Sequence, residues 1–529
     1  MQYLLAKAKE SPAFLPALFV RGTLPLMLAV AAGLVSSESP RQAKGAERDR
    51  PPNIVYILAD DLGWCELGCY GQEKMKTPNL DRLAAEGMRF TQHYAGNAVC
   101  APSRCVLMTG KHPGHAYTRN NGNPKLSEEF MARYGLEWAG QHPIPDAEVT
   151  IAEMLKQKGY ATGAMGKWGL GQIGTTGDPN RQGFDLFFGY NCQAHAHSFY
   201  PGHLWRNHEK VLLHNNPPVP GHAKLPEGAD PLDPASYAPF KGQDYSADRT
   251  IDEALAFIRQ NKDRPFFLYY PTTLVHVALH IPDEELKPYL GKWDETPFTG
   301  GGYTPHMTPR AAYAAMVSRL DRDAGRIVAL VDELGLGENT LVMFSSDNGT
   351  THLEKEVDYE FFESVGPLRG LKGTLFEGGI RVPMIARWTG KVRPGSVTDH
   401  ISMFSDVLPT VAEAAAVAPP EEIDGVSFLP TLLGRPDEQR KPDYLYWEFP
   451  GYGGQQAVRM GDWKAIRTDM LRKNNPDPLA VQLYNLSEDV GEANDVAAAH
   501  PELVARFRKI MKDARTPSEL FPIRPLDEQ

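Results

Sequence analysis

Two pairs of adjacent oxygen-bearing side chains are candidates for metal chemistry. Asp60 and Asp61 directly follow one apolar run, and Asp347 and Asn348 directly follow another. Crowding three carboxylates without compensation costs several kcal/mol, and a divalent cation is a natural source of compensation. Ligation by oxygen alone favours calcium or magnesium over zinc, and the sequence has no EF-hand loop that would supply the ligands from one segment. Each pair taken alone is equally consistent with a capping or turn role.

A short segment between these pairs carries the most specific pattern in the chain. Residues 100–104 read Cys-Ala-Pro-Ser-Arg. This pattern resembles the Cys-x-Pro-Ser-Arg signature of the formylglycine sulfatases, whose cysteine is oxidised to an aldehyde after translation. The resemblance extends over most of the chain, in the order and spacing typical of that family. Its other matches are Asp60-Asp61, residues 106–110 (Val-Leu-Met-Thr-Gly), 166–168 (Gly-Lys-Trp), 346–349 (Ser-Asp-Asn-Gly) and 370–373 (Gly-Leu-Lys-Gly).

The resemblance implies sulfate ester hydrolysis by a formylglycine hydrate made from Cys100, with one bound calcium ion. One hydroxyl of the hydrate would attack sulfur, aligned by the cation, and the other would then expel sulfate. An unmodified cysteine is a poor reagent for this reaction, because displacement at sulfate would leave a thiosulfate-type adduct with no easy exit. The implied calcium ligands are Asp60, Asp61, Asp347, Asn348 and the modified residue at position 100.

The same resemblance implies roles for the basic side chains of these motifs. Arg104 and Lys167 are expected to hold the formylglycine oxygens. Lys372 and His276 are expected to contact the sulfate and its leaving oxygen, where charge develops and a proton donor helps. Asp347 is the expected acceptor of the attacking hydroxyl's proton. Arg104 and Lys167 could instead be surface charges, and a histidine that follows a strand is often a structural residue.

One position departs from the family pattern. The family often has histidine directly after Gly-Lys-Trp, where this chain has Gly169. That histidine helps to eliminate sulfate from formylglycine, so a proton-transfer role is unfilled here. We expect the replacement in residues 193–197 (Gln-Ala-His-Ala-His), and within them we favour His197. A loop or substrate-binding role for these histidines is an equally valid interpretation, because imidazole serves many functions.

Patterns typical of buried strands place the motifs at strand ends. Short continuous apolar runs occur at residues 53–59, 161–165, 265–270 and 340–344, and each stops at polar or charged residues. Helical spacing occurs at residues 77–87, 150–158 and 313–334. Ligands of open parallel sheets bind beyond the carboxyl ends of the strands, so these terminal residues are expected to converge. We predict an α/β fold with a large mixed, mostly parallel sheet sandwiched by helices, alkaline-phosphatase-like by resemblance.

The chain divides into three predicted segments. Residues 1–50 are predicted to be an export signal and linker, because basic residues precede the apolar stretch 24–35 and small polar residues follow it. A membrane anchor is the alternative; otherwise we expect an exported protein, periplasmic or secreted, with no stable span after signal removal. Residues 51–435 are the predicted catalytic domain. Residues 436–529 contain short aromatic strands and a helix near 501–512, which predicts a smaller C-terminal antiparallel sheet with a helix.

Composition and charge narrow the function classes. With 529 residues, 42% hydrophobic and 23% charged, the chain is typical of a globular protein with a sizeable core. A net charge of −11 without a basic run argues against nucleic acid as a partner. The chain has five cysteines, so at least one of them has no partner for a disulfide within an exported chain and needs a separate explanation.

Three functions are consistent with these patterns. The leading hypothesis is hydrolysis of a small-molecule or saccharide sulfate ester, after a formylglycine-generating maturation enzyme has acted on Cys100. Phosphate or phosphonate ester hydrolysis is an alternative, because the same fold and metal carboxylates suit phosphoryl transfer. An unmatured, calcium-stabilised binding protein is the third. Specificity is expected in loop residues 197–241, and Trp64 or the tyrosines of residues 444–452 either stack on substrate or lie in the core.

Overall fold

The computed structural model describes residues 50–353 and 355–528. The predicted export signal and linker, except Arg50, lie outside the described residues. Within the described ranges, no helix combines the length and the apolar character that crossing a membrane requires.

An eleven-stranded sheet forms the centre of the described chain. Its strands are β1 (Asn53–Ala59), β2 (Met88–Tyr94), β3 (Ala161–Lys167), β4 (Leu186–Tyr190), β5 (His203–Arg206), β6 (Glu209–Leu212), β7 (Phe266–Pro271), β8 (Thr340–Ser346), β9 (Arg381–Arg387), β10 (Ser396–Thr398) and β11 (Ser402–Met403). The strand order is β10-β2-β9-β8-β1-β7-β3-β4-β5-β6, and β11 also pairs with β2. Strands β8, β1, β7, β3 and β4 run parallel, whereas β9, β5 and β6 are antiparallel to their neighbours. The predicted mixed, mostly parallel sheet is confirmed.

The four predicted central strands, β1, β3, β7 and β8, are buried along their whole length. Alternate side chains of β1 enter two different hydrophobic clusters, one on each face of the sheet. Both faces are therefore covered, which explains the continuous apolar runs. Full burial of each such aliphatic side chain contributes about 1.5–3 kcal/mol. The β1 members are Ile54, Tyr56 and Leu58 in one cluster and Val55, Ile57 and Ala59 in the other.

Helices cover the two faces of this sheet. Ser246–Asn261 and Pro309–Glu333 pack into one hydrophobic cluster, and Cys100–Thr109, Ile151–Lys156 and Val407–Ala414 pack into the other. The three helices predicted from periodicity are confirmed as Pro78–Glu86, Ile151–Lys156 and Pro309–Glu333. The remaining described α-helices are Glu128–Tyr134, Asp283–Leu286, Glu377–Ile380, Leu429–Leu432, Pro501–Asp513 and Arg524–Asp527.

A four-stranded antiparallel sheet follows the large one, as predicted. Its strands are β12 (Leu445–Phe449), β13 (Gln455–Met460), β14 (Trp463–Arg467) and β15 (Gln482–Asn485). The helix Pro501–Asp513 covers one face of this sheet through Val504, Phe507 and Met511. The other face joins the main core, because Trp447 and Ile466 belong to the same hydrophobic cluster as β1.

Candidate active site

The side chains singled out in the sequence meet at one edge of the large sheet. Asp60 follows β1, Lys167 ends β3, His276 lies in the loop after β7, and Asp347 follows β8. Strand β1 lies between β7 and β8, with β3 beyond β7. Cys100 is the first residue of the helix Cys100–Thr109. The predicted convergence at the carboxyl ends of the parallel strands is confirmed for these residues.

The carboxylate of Asp60 is fully buried between two cations. Lys167 Nζ lies 2.7 Å from Asp60 Oδ2, and Arg104 Nη2 lies 3.4 Å from the same oxygen. Burial alone would raise the pKa of Asp60, but the charge of Lys167 and of the neighbouring cations outweighs burial and holds that pKa below its usual value. Asp60 is therefore ionised at neutral pH.

Asp61 adopts a backbone conformation that is unusual for a residue with a side chain. Its φ is 64°, a strain of about 1–3 kcal/mol that surrounding contacts must hold in place. Lys372 Nζ lies 2.7 Å from both Asp61 carboxylate oxygens, and Asn348 Nδ2 donates to Oδ1 at 2.7 Å. The Asp61 backbone N–H donates to Asp347 Oδ1 at 3.1 Å. These contacts tie the end of β1 to the end of β8.

Arg104 joins the ends of β3 and β8 by hydrogen bonds. Its Nε and Nη2 donate to Asp347 Oδ2 at 3.0 and 2.8 Å, and its Nη1 donates to the carbonyl of Lys167. Burial and then the charge of Asp60 raise the pKa of Asp347, and Arg104 opposes that rise. Arg104 and Lys167 are 0% and 1% exposed, so the surface-charge alternative is wrong for both.

Cys100 is a buried thiol in contact with charged groups. Its Sγ lies 3.5 Å from Lys167 Nζ, 3.6 Å from Lys372 Nζ and 3.5 Å from Asp60 Oδ1. Burial raises the pKa of the thiol to about 12, although the two lysines act in the opposite direction. The thiolate is the nucleophilic form of cysteine. An unmodified Cys100 is therefore neutral and a weak nucleophile in this site.

Side chains around Cys100 form a group that could hold a metal ion. One candidate ligand atom from each of Asp60, Asp61, Cys100 and His276 lies within 4.8 Å of the others. Asn348 Oδ1 is buried and has no hydrogen-bond partner among the described residues. A buried carbonyl oxygen without a donor is costly, and a cation beside the carboxylates would satisfy it. Carboxylate and amide oxygens are the donors that hard cations such as calcium prefer.

Two stacked histidines lie beside the acidic cluster. His276 Nε2 lies 3.6 Å from Asp61 Oδ2, and the ring of His197 stacks on that of His276 with centroids 5.3 Å apart. Burial, then the charges of nearby lysines, hold the pKa of His276 well below its usual value. Burial, then His276, lower the pKa of His197 to about 2. Both imidazoles are therefore neutral at neutral pH.

A chain of hydrogen bonds sets the tautomer of His197. His222 Nδ1 lies 2.6 Å from the carbonyl oxygen of Gly302 and must donate to it, so the Nε2 of a neutral His222 is an acceptor. His197 Nδ1 lies 2.7 Å from that acceptor and therefore carries a proton. In its neutral form, His197 then presents an unprotonated Nε2.

The comparisons with known proteins agree with this geometry. A family model described as Sulfatase matches residues 52–417, and one described as N-sulphoglucosamine sulphohydrolase, C-terminal, matches residues 371–516. Arylsulfatase A of Homo sapiens is 32% identical over 513 residues, which cover 92% of this chain and 89% of that protein. This chain belongs to the sulfatase family. The resemblance inferred from the motifs is confirmed, and with it the class of enzyme, a sulfuric ester hydrolase.

One further relative of this sulfatase is named for a saccharide, and one similar crystal structure is a complex with a saccharide. N-acetylgalactosamine-6-O-sulfatase of Bacteroides thetaiotaomicron is 31% identical over 548 residues, which cover 93% of this chain and 98% of that protein. The crystal structure of Ps i-CgsB in complex with k-i-k-neocarrahexaose has a TM-score of 0.69 and 26% identity, and the match covers 88% of this chain and 94% of that one.

Gln193 lies against the position where the family often has histidine. Gly169 has a φ of 85°, and a Cβ added there would lie 3.0 Å from Gln193 Nε2. Gln193 is 5% exposed, and its Nε2 has no hydrogen-bond partner within the described residues. Gln141 Oε1 accepts from the Gln193 backbone N–H at 3.0 Å. Within residues 193–197 the sequence favours His197 and does not single out Gln193, because no sequence pattern places a loop glutamine beside a glycine of another segment.

A cavity of about 410 Å³ opens over the sulfatase site. Tyr452 lines it and is 55% exposed, which fits the predicted stacking on substrate. Tyr446 is fully buried in the small sheet, and Trp64 packs on Tyr70, so the core interpretation holds for these two aromatic residues. Other residues that line the cavity are Cys100, Gln193, His197, His276, Tyr303 and Lys372.

Proposed function

We propose that this sulfatase cleaves sulfate esters of saccharides by means of a formylglycine made from Cys100 and a bound calcium ion. The environment of Cys100 carries the proposal. Its thiol has a pKa raised to about 12 and lies 3.5 and 3.6 Å from two lysine ammonium groups. The site therefore suppresses the thiolate, while Lys167 and Lys372 are well placed to stabilise oxygen atoms that carry negative charge.

Oxidation of Cys100 by a maturation enzyme would supply an aldehyde whose hydrate offers one hydroxyl for attack on sulfur and a second for the release of sulfate. Lys167 and Arg104 would fix the orientation of these oxygens, because both side chains are buried and are held by Asp60 and Asp347. Asp347 is the proposed acceptor of the attacking hydroxyl's proton.

Asp60, Asp61, Asp347 and Asn348 would hold the calcium ion beside residue 100. When bound, the ion supplies electrostatic stabilisation of the attacking oxygen and of the sulfate group. Two observations support this assignment: the unpartnered Asn348 Oδ1 and the strained φ of Asp61. The three carboxylates are matched by three buried cations, so a divalent cation and the released sulfate dianion together would leave the charge balance unchanged. The cations are Arg104, Lys167 and Lys372.

The remaining roles belong to groups that line the cavity. Lys372 would bind the sulfate, and His276 would contact the leaving oxygen through Nε2, the nitrogen that faces the acidic cluster. His197 would accept a proton through its own Nε2 during sulfate release, because its Nδ1 is already committed to His222. Gln193 would donate its unpartnered amide N–H to a sulfate oxygen.

The proposal of a saccharide substrate has two supports. The relatives include a protein named as an N-acetylgalactosamine-6-O-sulfatase and a structure holding k-i-k-neocarrahexaose. The exposed ring of Tyr452 at the cavity offers a flat apolar surface of the kind that packs on a sugar ring.

Turnover of two nitrophenyl esters tests the proposal. The protein is produced together with a formylglycine-generating enzyme and assayed with calcium on 4-nitrophenyl sulfate and 4-nitrophenyl phosphate. We expect faster turnover of the sulfate, loss of activity in Cys100→Ala, and retained activity in Cys105→Ala, a buried cysteine of the same helix. Faster phosphate turnover would favour the phosphate or phosphonate hydrolase. No turnover of any sulfate by fully converted protein would favour the calcium-stabilised binding protein.

We also propose that the protein is exported, to the periplasm or the medium, on the strength of the apolar stretch at residues 24–35 and its flanking residues. Sequencing the N-terminus of protein recovered from outside the cytoplasm tests this. A mature terminus downstream of residue 35 would support export, and an intact N-terminus on cytoplasmic protein would contradict it. The boundary between residues 435 and 436 stays a prediction.

A further inference from the structure

A second cavity, which we call the Arg467 cavity, lies on the C-terminal sheet. Its volume is about 650 Å³, and none of the residues that line it lines the active-site cavity. More basic than acidic side chains line this cavity. The basic ones are Arg467, Arg508, Lys509 and Lys512, and the acidic ones are Asp477 and Asp513.

Arg467 is the unusual member of this set. It ends β14 and is 2% exposed, yet its polar partner is the neutral side-chain amide of Gln456, to which Nη1 donates at 2.9 Å. Its Nε has no hydrogen-bond partner within the described residues. Burial, then repulsion by Arg508, lower the pKa of Arg467 to about 10. Asp477 of the same cavity opposes this lowering of the pKa only in part, and no carboxylate is hydrogen-bonded to Arg467 among the described residues. A bound anion would compensate the buried guanidinium.

The other cations of the cavity come from the helix Pro501–Asp513. Lys509 contacts Asp513, so these two charges offset each other. Arg508 and Lys512 are exposed and stand four residues apart, a spacing at which like charges on a helix repel. Lys512 lies in the last turn of the helix, where a positive charge interacts favourably with the helix dipole. That effect does not explain the buried charge of Arg467, which belongs to a strand.

The Arg467 cavity is linked to the active site through one loop. After Arg467 the chain forms two backbone hydrogen bonds with the segment that follows Tyr452: Met470 N–H donates to Gly454 O at 3.0 Å, and Leu471 N–H donates to Gly453 O at 2.7 Å. Tyr452 itself lines the active-site cavity. These hydrogen bonds connect the segment that follows Arg467 to the loop that borders the active-site cavity.

We propose that the Arg467 cavity binds a second sulfate group of the same saccharide chain whose sulfate ester occupies the active site. The chemistry it recognises is an oxyanion held by two guanidinium groups and an ammonium group, and guanidinium groups present paired donors suited to such anions. The saccharide part rests on the proposed function, and a free inorganic anion is the other source of the same chemistry. The cavity would thus favour chains that carry more than one sulfate group.

Binding of a densely sulfated probe tests the proposal. The probe is a heparin hexasaccharide, measured calorimetrically with the full chain in a Cys100→Ala background, so that no turnover occurs. We expect the Arg508→Ala/Lys512→Ala double variant to bind the probe about ten-fold more weakly, with a shallower dependence on salt concentration. Arg506→Ala, which removes an exposed arginine of the same helix outside the cavity, is the matched control and should bind like the parent.

Three results would overturn the proposal. They are equal binding by the double variant and the parent, equal binding of the desulfated hexasaccharide, and binding of sodium sulfate without binding of the hexasaccharide. Turnover of 4-nitrophenyl sulfate by the formylglycine form of the double variant should equal that of the unsubstituted enzyme. Probe binding that depends on the cavity would support the proposed anion site even if converted enzyme hydrolyses no sulfate. In that case only the proposed function would be contradicted.

Discussion

The ammonium group of Lys372 lies 2.7 Å from both carboxylate oxygens of Asp61. The same nitrogen lies 3.6 Å from the sulfur of Cys100. One buried charge therefore contacts a proposed calcium ligand and the residue that is proposed to react. This arrangement couples the acidic cluster to the side of the cavity that is proposed to bind sulfate.

Replacing Lys372 by methionine should lower kcat/KM on 4-nitrophenyl sulfate by about 10²–10³-fold, because a charge aimed at developing negative charge is lost. Steady-state kinetics measure the effect. Calcium is kept in excess, so weaker calcium binding does not account for the loss of activity. Lys158→Met, which removes an exposed lysine, is the control and should retain parental activity. A loss of less than about three-fold in Lys372→Met would contradict the role given to this lysine.

The pairing of Gly169 with Gln193 predicts a non-additive double variant. Gln193→Ala should lower kcat for sulfate turnover about ten-fold through loss of one hydrogen-bond donor. Gly169→His should also be poorly active, because its Cβ would meet Gln193 and its φ is positive. The Gly169→His/Gln193→Ala double variant should be more active than Gly169→His alone, because removal of the amide makes room for an imidazole, although the strain at the positive φ remains. If the two substitutions lowered kcat by factors that simply multiply in the double variant, residues 169 and 193 would not compete for the same space.

His197 and His222 should have effects of different size. His197→Ala should slow sulfate release, detected as a burst of nitrophenol followed by a slow steady state, because the proposed proton acceptor is gone. His222→Asn should cause a smaller loss, since it disturbs the tautomer of His197 and leaves the imidazole present. His214→Asn, which removes an exposed histidine, serves as the control for both. Unchanged steady-state turnover in His197→Ala would remove it from the mechanism.

Buried His93 should make the protein less stable below neutral pH. It is 0% exposed, its Nδ1 lies 2.8 Å from Ser402 Oγ, and burial lowers its pKa to about 3. Its neutral form is favoured in the fold, so the stability is present above the unfolded pKa of about 6.5 and is lost as pH falls toward 3. Between pH 7 and pH 5 the loss due to this group amounts to about 2 kcal/mol.

Urea unfolding of the protein and of His93→Asn at the two pH values measures this effect. The variant is expected to be less stable at pH 7 but to lose about 2 kcal/mol less on acidification. Parallel losses in both proteins would show that His93 does not titrate on unfolding.

The sequence predicted the large sheet and the meeting of the acidic residues at one edge of it, because both follow from local patterns. Continuous apolar runs mark strands covered on both faces, and the polar residues that end β1, β3 and β8 reach one edge whenever those strands are parallel. Gln193 and His222 could not be found in this way. Their importance depends on the positive φ of Gly169 and on a hydrogen bond to the carbonyl of Gly302, and neither is encoded in a short motif.

The pairing of charges around the acidic cluster is likewise not encoded in a short motif. Spacing along the sequence pairs none of the three carboxylates with a cation, whereas Arg104, Lys167 and Lys372 contact them directly. These basic residues come from three separate segments of the chain. Their pairing with particular carboxylates depends on how those segments pack, so that spacing along the sequence does not specify it.

The chemical state of residue 100 tests the central claim most directly. Protein is produced with and without a formylglycine-generating enzyme, and mass spectrometry of the peptide containing Cys100 gives the converted fraction from a loss of about 18 Da, the change from thiol to aldehyde. The rate on 4-nitrophenyl sulfate is measured on the same samples. We predict a rate proportional to the converted fraction and close to zero in unconverted protein. Equal rates in converted and unconverted samples would contradict the account.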